Sequence, residues 1–227
     1  MHHRVASLCV TFLFLSGCAT ATLQPAPWAN IVPGPGAGAV AEQAGVRIEA
    51  RAGAWRGIPT DLADVVTPLL VTLTNESAQP LRVRYQEFQL VSATGETFAA
   101  LPPFAVEGTV TQRIRPPLSP FFGFGVAPYL SPYYPWAAPF DGPFAFDPLY
   151  YHRYYPTFVR VRIGLPTADM LEAALPEGVV EPQGRIAGFL YFERVGEEVA
   201  RVDFRAELID AQTEEDFGVI TIPFLVV

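Results

Sequence analysis

From Val46 onward the hydrophobic positions of the chain alternate with polar ones. In VRIEARA, Val46, Ile48 and Ala50 share one parity while Arg47, Glu49 and Arg51 share the other, which is the pattern of a strand with one buried and one wet face. TPLLVTLTN at 67–75 and PLRVRYQEFQLVSATGETF at 80–98 predict further strands, and SATGE supplies a glycine-containing hairpin turn. NESAQP between them reads as a turn, and its Asn75-Glu76-Ser77 sequon as turn chemistry rather than a glycan acceptor. Within the long segment Leu81, Val83 and Tyr85 have one parity and Phe88 and Leu90 the other. One regular strand cannot bury all five, so the pattern predicts a β-bulge near Gln86 and Glu87, or a strand that bends from one sheet into a second.

Alternation resumes after residue 157. FVRVRIGL sets Val159, Val161 and Ile163 against Arg160 and Arg162; RIAGFLYFERV and VARVDFRAELID are expected to pair as a hairpin around Gly196. FGVITIPFLVV is a near-continuous apolar run in which Pro223, lacking a ladder donor, marks an edge or a bulge. One short helix interrupts the strands: TADMLEAAL, with Thr167 as N-cap, Asp169 near the positive helix end and LPEG stopping it. About eight short strands with little helix predict an all-β, antiparallel β-sandwich. Its two strand-rich blocks are 46–101 and 157–227 within a domain of 46–227.

Residues 103–156 interrupt that domain. From 116 to 156 the run PPLSPFFGFGVAPYLSPYYPWAAPFDGPFAFDPLYYHRYYP holds ten prolines and fourteen aromatics with almost no charge. Prolines at that spacing exclude a helix and a central strand. Three readings stay open: an excursion packed onto the sandwich, a low-complexity loop, or a contact surface for a partner, glycan or lipid. In the last reading Tyr133, Tyr134, Trp136, Tyr150, Tyr151, His152, Tyr154 and Tyr155 are the contact residues.

The start of the chain has a different character. MHHRVASLCVTFLFLSGC opens with Arg4, continues with an apolar run from Val5 to Leu15, and ends Leu15-Ser16-Gly17-Cys18. The run is too short to cross a bilayer and reads as the apolar region of a secretory leader, residues 1–17. Residues 18–45 are rich in alanine, proline and glycine with no repeating period, and are expected to form a flexible tether of about 30 Å.

Composition removes more chemistry than it suggests. All 15 basic residues are arginine, so lysine-based Schiff-base or general-base catalysis is excluded. The net charge of −8, without a basic run, argues against nucleic acid as a partner. Cys9 lies in the leader, which leaves Cys18 as the one thiol of a mature chain and excludes a disulfide framework or thiolate metal site. His152 lacks the nucleophile, orienting acid or additional ligands that catalysis or metal binding needs. Asp141 and Asp147 flank GPFAF without the oxygen ligands of a calcium loop, and Glu214, Glu215 and Asp216 read as a solvated acidic turn. No cofactor is called for.

Leu15-Ser16-Gly17-Cys18 resembles the lipobox of bacterial lipoproteins. The resemblance implies acylation of Cys18, loss of residues 1–17 and attachment to the cell envelope; Ala19, where inner-membrane members carry aspartate, implies the outer membrane. TPLLVTLTNESAQPLRVRYQEFQLVSATGETFAAL and GRIAGFLYFERV resemble immunoglobulin-like domains of bacterial lipoproteins and exported proteins. That resemblance covers strand patterns and carries no catalytic residue. Together these readings predict a membrane-anchored envelope lipoprotein with a non-enzymatic structural or interaction role. The alternatives are a module whose aromatic insertion recognises an envelope protein or glycan, and a hydrolase of envelope polymers using Asp141 and Asp147.

Overall fold

A computed structural model describes residues 21–114 and 159–227 of the chain. Its fourteen strands run, in chain order, β1 (Leu23–Pro25), β2 (Asn30–Val32), β3 (Ala37–Gln43), β4 (Val46–Ala52), β5 (Val66–Asn75), β6 (Leu81–Val83), β7 (Phe88–Ser92), β8 (Thr97–Leu101), β9 (Gly108–Ile114), β10 (Val159–Leu165), β11 (Gly178–Val180), β12 (Arg185–Glu193), β13 (Arg201–Asp210) and β14 (Asp216–Val226). One short α-helix, α1 (Ala168–Ala173), and three 3-10 turns complete the described elements.

Every ladder between named strands is antiparallel, and the strands of the large sheet join in the order β1-β14-β13-β7-β8-β12-β5-β4-β3-β2, with β6 attached to β13 and β11 to β6. β8 is the seam. Its Thr97–Ala99 pair with β7, and its last two residues, Ala100 and Leu101, pair with Phe192 and Tyr191 of β12. The sheet folds over at this seam, and β3 approaches β14 and β1 on the far side. The result is an all-β, sandwich- or barrel-like sheet. Its interior takes Ile48, Leu69, Val71, Leu73, Leu190 and Phe192 from one half and Leu90, Val202, Phe204, Ile220, Ile222 and Phe224 from the other. Each such side chain removed from water contributes about 1.5–3 kcal/mol.

Several expectations change. Residues 18–45 were expected as a tether, yet 23–43 contain β1, β2 and β3. β1 pairs with the end of β14, Leu23 facing Val226, and β3 pairs along the whole of β4, Ala37 facing Ala52 and Gln43 facing Val46. Alternation is faint because β3 turns alanines inward, with Ala39 fully buried and Ala41 packed beside it. The turn joining β3 to β4 is Ala44-Gly45 with φ of 51° and 76°, a mirror-image two-residue turn made without the usual asparagine or aspartate. The same holds for the insertion: residues 108–114 of the expected 103–156 segment are β9.

The parity change after Tyr85 is resolved by neither a bulge nor a bend. Tyr85–Glu87 form a 3-10 turn between β6 and β7, and both strands pair with β13. Leu81, Val83, Tyr85, Phe88 and Leu90 are thereby all buried. β12 and β13 do not form the expected hairpin: β12 pairs with β5 and β8, whereas β13 pairs with β14, β7 and β6. Residues 194–200 therefore cross between the two halves of the fold, as two inward-facing apolar runs require. Pro223 lies in β14 between β13 and β1. Its carbonyl accepts the Ala26 N–H at 3.0 Å, so its missing donor faces the β1 side where that ladder ends.

Candidate functional site

A second apolar cluster sits outside the main core, on the outer face of β5 and β12. Trp55, Leu62, Val66, Val106, Met170, Phe189 and Tyr191 form it. Phe189 and Tyr191 belong to it because β12 alternates, sending Leu190 and Phe192 to the main core. α1 covers these rings. Thr167 caps the helix by accepting from Met170 N–H at 3.4 Å, as the sequence predicts, and the Tyr191 hydroxyl donates to the Met170 carbonyl at 2.9 Å. Burial raises the Tyr191 phenol well above its ordinary value, with Tyr85 adding to the effect. After the helix, Leu175 N–H bonds the Phe189 carbonyl at 2.9 Å. The chain can lie this flat because position 188 is glycine; a Cβ there would collide with the Leu175 backbone.

The 53–65 loop is fastened to the same flank by directional contacts. Trp55 Nε1 donates to the Pro59 carbonyl at 2.7 Å, Ile58 N–H donates to Asp169 Oδ2 at 2.7 Å, and the Thr167 hydroxyl donates to the Ile58 carbonyl at 2.6 Å. Gln112 of β9, itself buried, accepts the Thr60 N–H through Oε1 at 3.2 Å. The loop thus carries a two-stranded ribbon, β9 with β10, whose register runs from Leu165↔Gly108 at the base to Val159↔Ile114 at the outer end. Seven paired positions, six steps along the strand, make about 20 Å of ribbon.

The two faces of the ribbon differ. Val110, Gln112, Val161, Ile163 and Leu165 share the face turned to the body, while Thr109, Thr111, Arg113, Arg160 and Arg162 share the other and are exposed or only slightly covered. Arg113 stands directly opposite Arg160, with Arg162 two residues on. Like charges across a ladder destabilise it. No ion pair or hydrogen bond joins any of these three guanidinium groups to another described residue.

The buried polar groups Asn75 and Glu87 are committed to structure. Asn75, fully buried, donates from Nδ2 to the carbonyls of Gln79 and Val180 at 2.8 and 2.9 Å and accepts from Ser77 N–H and hydroxyl. The sequon is turn chemistry. Glu87 is buried, and burial raises its carboxyl pKa, against which the Arg82 hydrogen bond, the Arg84 N–H and both guanidinium charges act. Arg82 also reaches Glu214 at 3.1 Å, so one member of the acidic turn is paired. The groove beside these residues, lined by Arg84, Glu177 and Val179 among others, has its Glu177 carboxylate engaged by the Tyr85 N–H at 2.8 Å.

A smaller, more enclosed and mainly apolar cleft of about 210 Å³ lies where the chain enters the fold. Residues 21–24 line it together with Ala37, Ala52, Ala63 and Val66. Among the described residues no group of three or more His, Cys, Asp or Glu side chains is placed to hold a metal ion, and no helix is long and apolar enough to cross a membrane.

The sequence-predicted site residues Cys18, Tyr133, Tyr134, Trp136, Tyr150, Tyr151, His152, Tyr154 and Tyr155 lie outside the described residues, as do Asp141 and Asp147. What the structure adds is the place where their segment joins: residues 114 and 159 are cross-strand partners at one end of the ribbon. The arginine face escaped the sequence reading. Arg160 and Arg162 were visible as the wet face of a strand, but their partner β9 lay inside the proline-rich segment. No family model matches the chain, and no curated protein or solved structure matches it either.

Proposed function

We propose that the chain is a bacterial envelope lipoprotein, acylated at Cys18 and attached to the outer membrane, whose immunoglobulin-like β-sandwich serves a non-catalytic structural or interaction role. The observation that carries this reading is Leu15-Ser16-Gly17-Cys18 at the end of a short apolar run. Several acyl chains on one cysteine give stable anchoring where one gives marginal binding. The first strand begins at Leu23, so the five steps from Cys18 span at most about 18 Å. The domain is then held close against the head groups, not out on a 27-residue tether. The reading is tested by fractionating cells: Cys18→Ser is expected to move the protein out of the detergent-extracted membrane fraction, and globomycin to block maturation of the native chain. Membrane retention of the serine variant, with a globomycin-insensitive leader, overturns it.

The ribbon favours a second role for the same anchored domain, recognition of an envelope protein or glycan through the aromatic segment. Because Ile114 and Val159 are direct partners, residues 115–158 can be replaced by Asn-Gly with the β9–β10 register kept. That replacement is expected to leave the thermal transition of the sandwich in place and to abolish co-purification of partners from envelope extracts. Unchanged co-purification rules the second role out. Polymer hydrolysis through Asp141 and Asp147 stands behind both, and loss of a measured turnover on substituting both with asparagine is its requirement.

A further inference from the structure

We infer that the outer face of the β9–β10 ribbon, formed by Arg113, Arg160 and Arg162 with Thr109 and Thr111, docks on anionic phospholipid head groups. The starting point is an electrostatic conflict inside the fold. Arg113 and Arg160 oppose each other in register, Arg162 lies on the same face, and no described carboxylate pairs with any of them. This occurs in a chain with a net charge of −8 that holds 23 acidic residues against 15 arginines, yet no described carboxylate neutralises this face. Guanidinium groups with no described partner, held side by side on a β-ladder, suit phosphate, which their planar donors grip in a bidentate manner. The two threonine hydroxyls on the same face supply further donors.

The position of the face selects the occupant. Ala63 of the 53–65 loop lines the cleft entered by residues 21–24, and Thr60 of the same loop holds Gln112, the neighbour of Arg113. One loop therefore brings the arginine ribbon and the point where the chain leaves toward residue 18 to the same end of the fold. A bilayer reached through that short segment meets this end first. This step rests on the lipoprotein reading for what keeps the domain near a membrane; the affinity of the ribbon for phosphate lipids does not depend on it.

The test uses the full chain carrying Cys18→Ser, which bears no acyl chain whatever the fate of the native cysteine, and measures its partition onto phosphatidylcholine vesicles with and without phosphatidylglycerol. At about fivefold per arginine near an anionic surface, three should favour the anionic vesicles by roughly a hundredfold at low salt, collapsing at high salt. Arg113→Gln/Arg160→Gln/Arg162→Gln is expected to remove that preference while keeping the thermal transition and β-rich circular dichroism of the parent. Arg47→Gln/Arg185→Gln, at exposed positions that both face Thr74, is expected to leave it within threefold. The inference is overturned if the parent shows no preference for anionic vesicles, if the ribbon triple retains it, or if the control pair loses as much. It is also overturned if the triple instead abolishes self-association or binding to a soluble polyanion with vesicle partition unmoved. The lipoprotein reading fails separately, in the fractionation of cells carrying Cys18→Ser.

Discussion

The main core and the outer flank are held by different physics. Inside the folded sheet, Phe204 stacks on Phe88 at 6.1 Å and meets Phe192 edge-on at 6.1 Å, all within a continuous apolar interior. That region is stabilised by area removed from water, a non-directional force that tolerates small shifts. The flank buries fewer residues, with Trp55 edge-on to Phe189 at 5.1 Å. There, single hydrogen bonds from segments far apart in sequence fix the 53–65 loop, α1 and the ribbon. Burial makes the domain stable; directional bonds on the flank aim the ribbon.

The comparison can be broken most forcefully from the core side. Phe204→Ala is expected to cost about 3–5 kcal/mol, through lost transfer energy and the cavity left behind, and to lower the denaturant midpoint in one cooperative transition. A loss below about 1 kcal/mol would show that the two halves of the sheet do not share an interior. On the flank the expected effect is smaller: Tyr191→Phe removes the hydroxyl bond to the Met170 carbonyl and leaves the ring in place, costing about 1–2 kcal/mol. Hydrogen exchange should quicken across residues 168–175 more than in β13. Uniform quickening would mean that the flank and the core open as one unit.

The finest test uses pH. The Glu87 carboxyl is raised in the folded protein from its ordinary value of 4.5, so the native state holds this proton more tightly than the unfolded chain. Its contribution to stability is greatest at acid pH, below the unfolded value, and declines as pH rises through 4.5 and the folded value. Glu87→Gln is expected to remove that segment of the pH profile, seen as a flatter midpoint-against-pH curve than the parent. A steeper decline in stability on acidification of the parent than of the variant would reverse the sign and show that the Arg82 bond dominates.

How much was legible follows the same division. β4, β5, β7 and β12 were readable because their inward positions carry large aliphatic or aromatic side chains that contrast with arginine, glutamate and threonine. β3 was not, since alanines face the core there and the contrast vanishes. On its opposite face Gly38 is small because the side chain of its cross-strand partner Arg51 lies over it, a Cβ there falling 2.8 Å from Arg51 Cγ. The helix was readable from Thr167 and Asp169 at its start and LPEG at its end. Of the candidate site, the wet parity of Arg160 and Arg162 was readable, but not the partner strand that sets Arg113 against them. Cross-strand neighbours 47 residues apart leave no local signal, and proline-rich sequence directly after β9 masked its seven residues.

Local side-chain alternation, turn chemistry and one cap were enough, without coordinates, to determine that this is an antiparallel all-β protein with one short helix. The order Leu15-Ser16-Gly17-Cys18 after an apolar run and the absence of lysine are likewise properties of the sequence alone. Which strands pair was decided by the tertiary structure: β12 and β13, adjacent in the chain, part to opposite halves because each has an apolar face that must be covered by different strands. Tertiary structure also decided that residues 23–43 belong to the sheet, because a row of small side chains packs only where a complementary surface already exists.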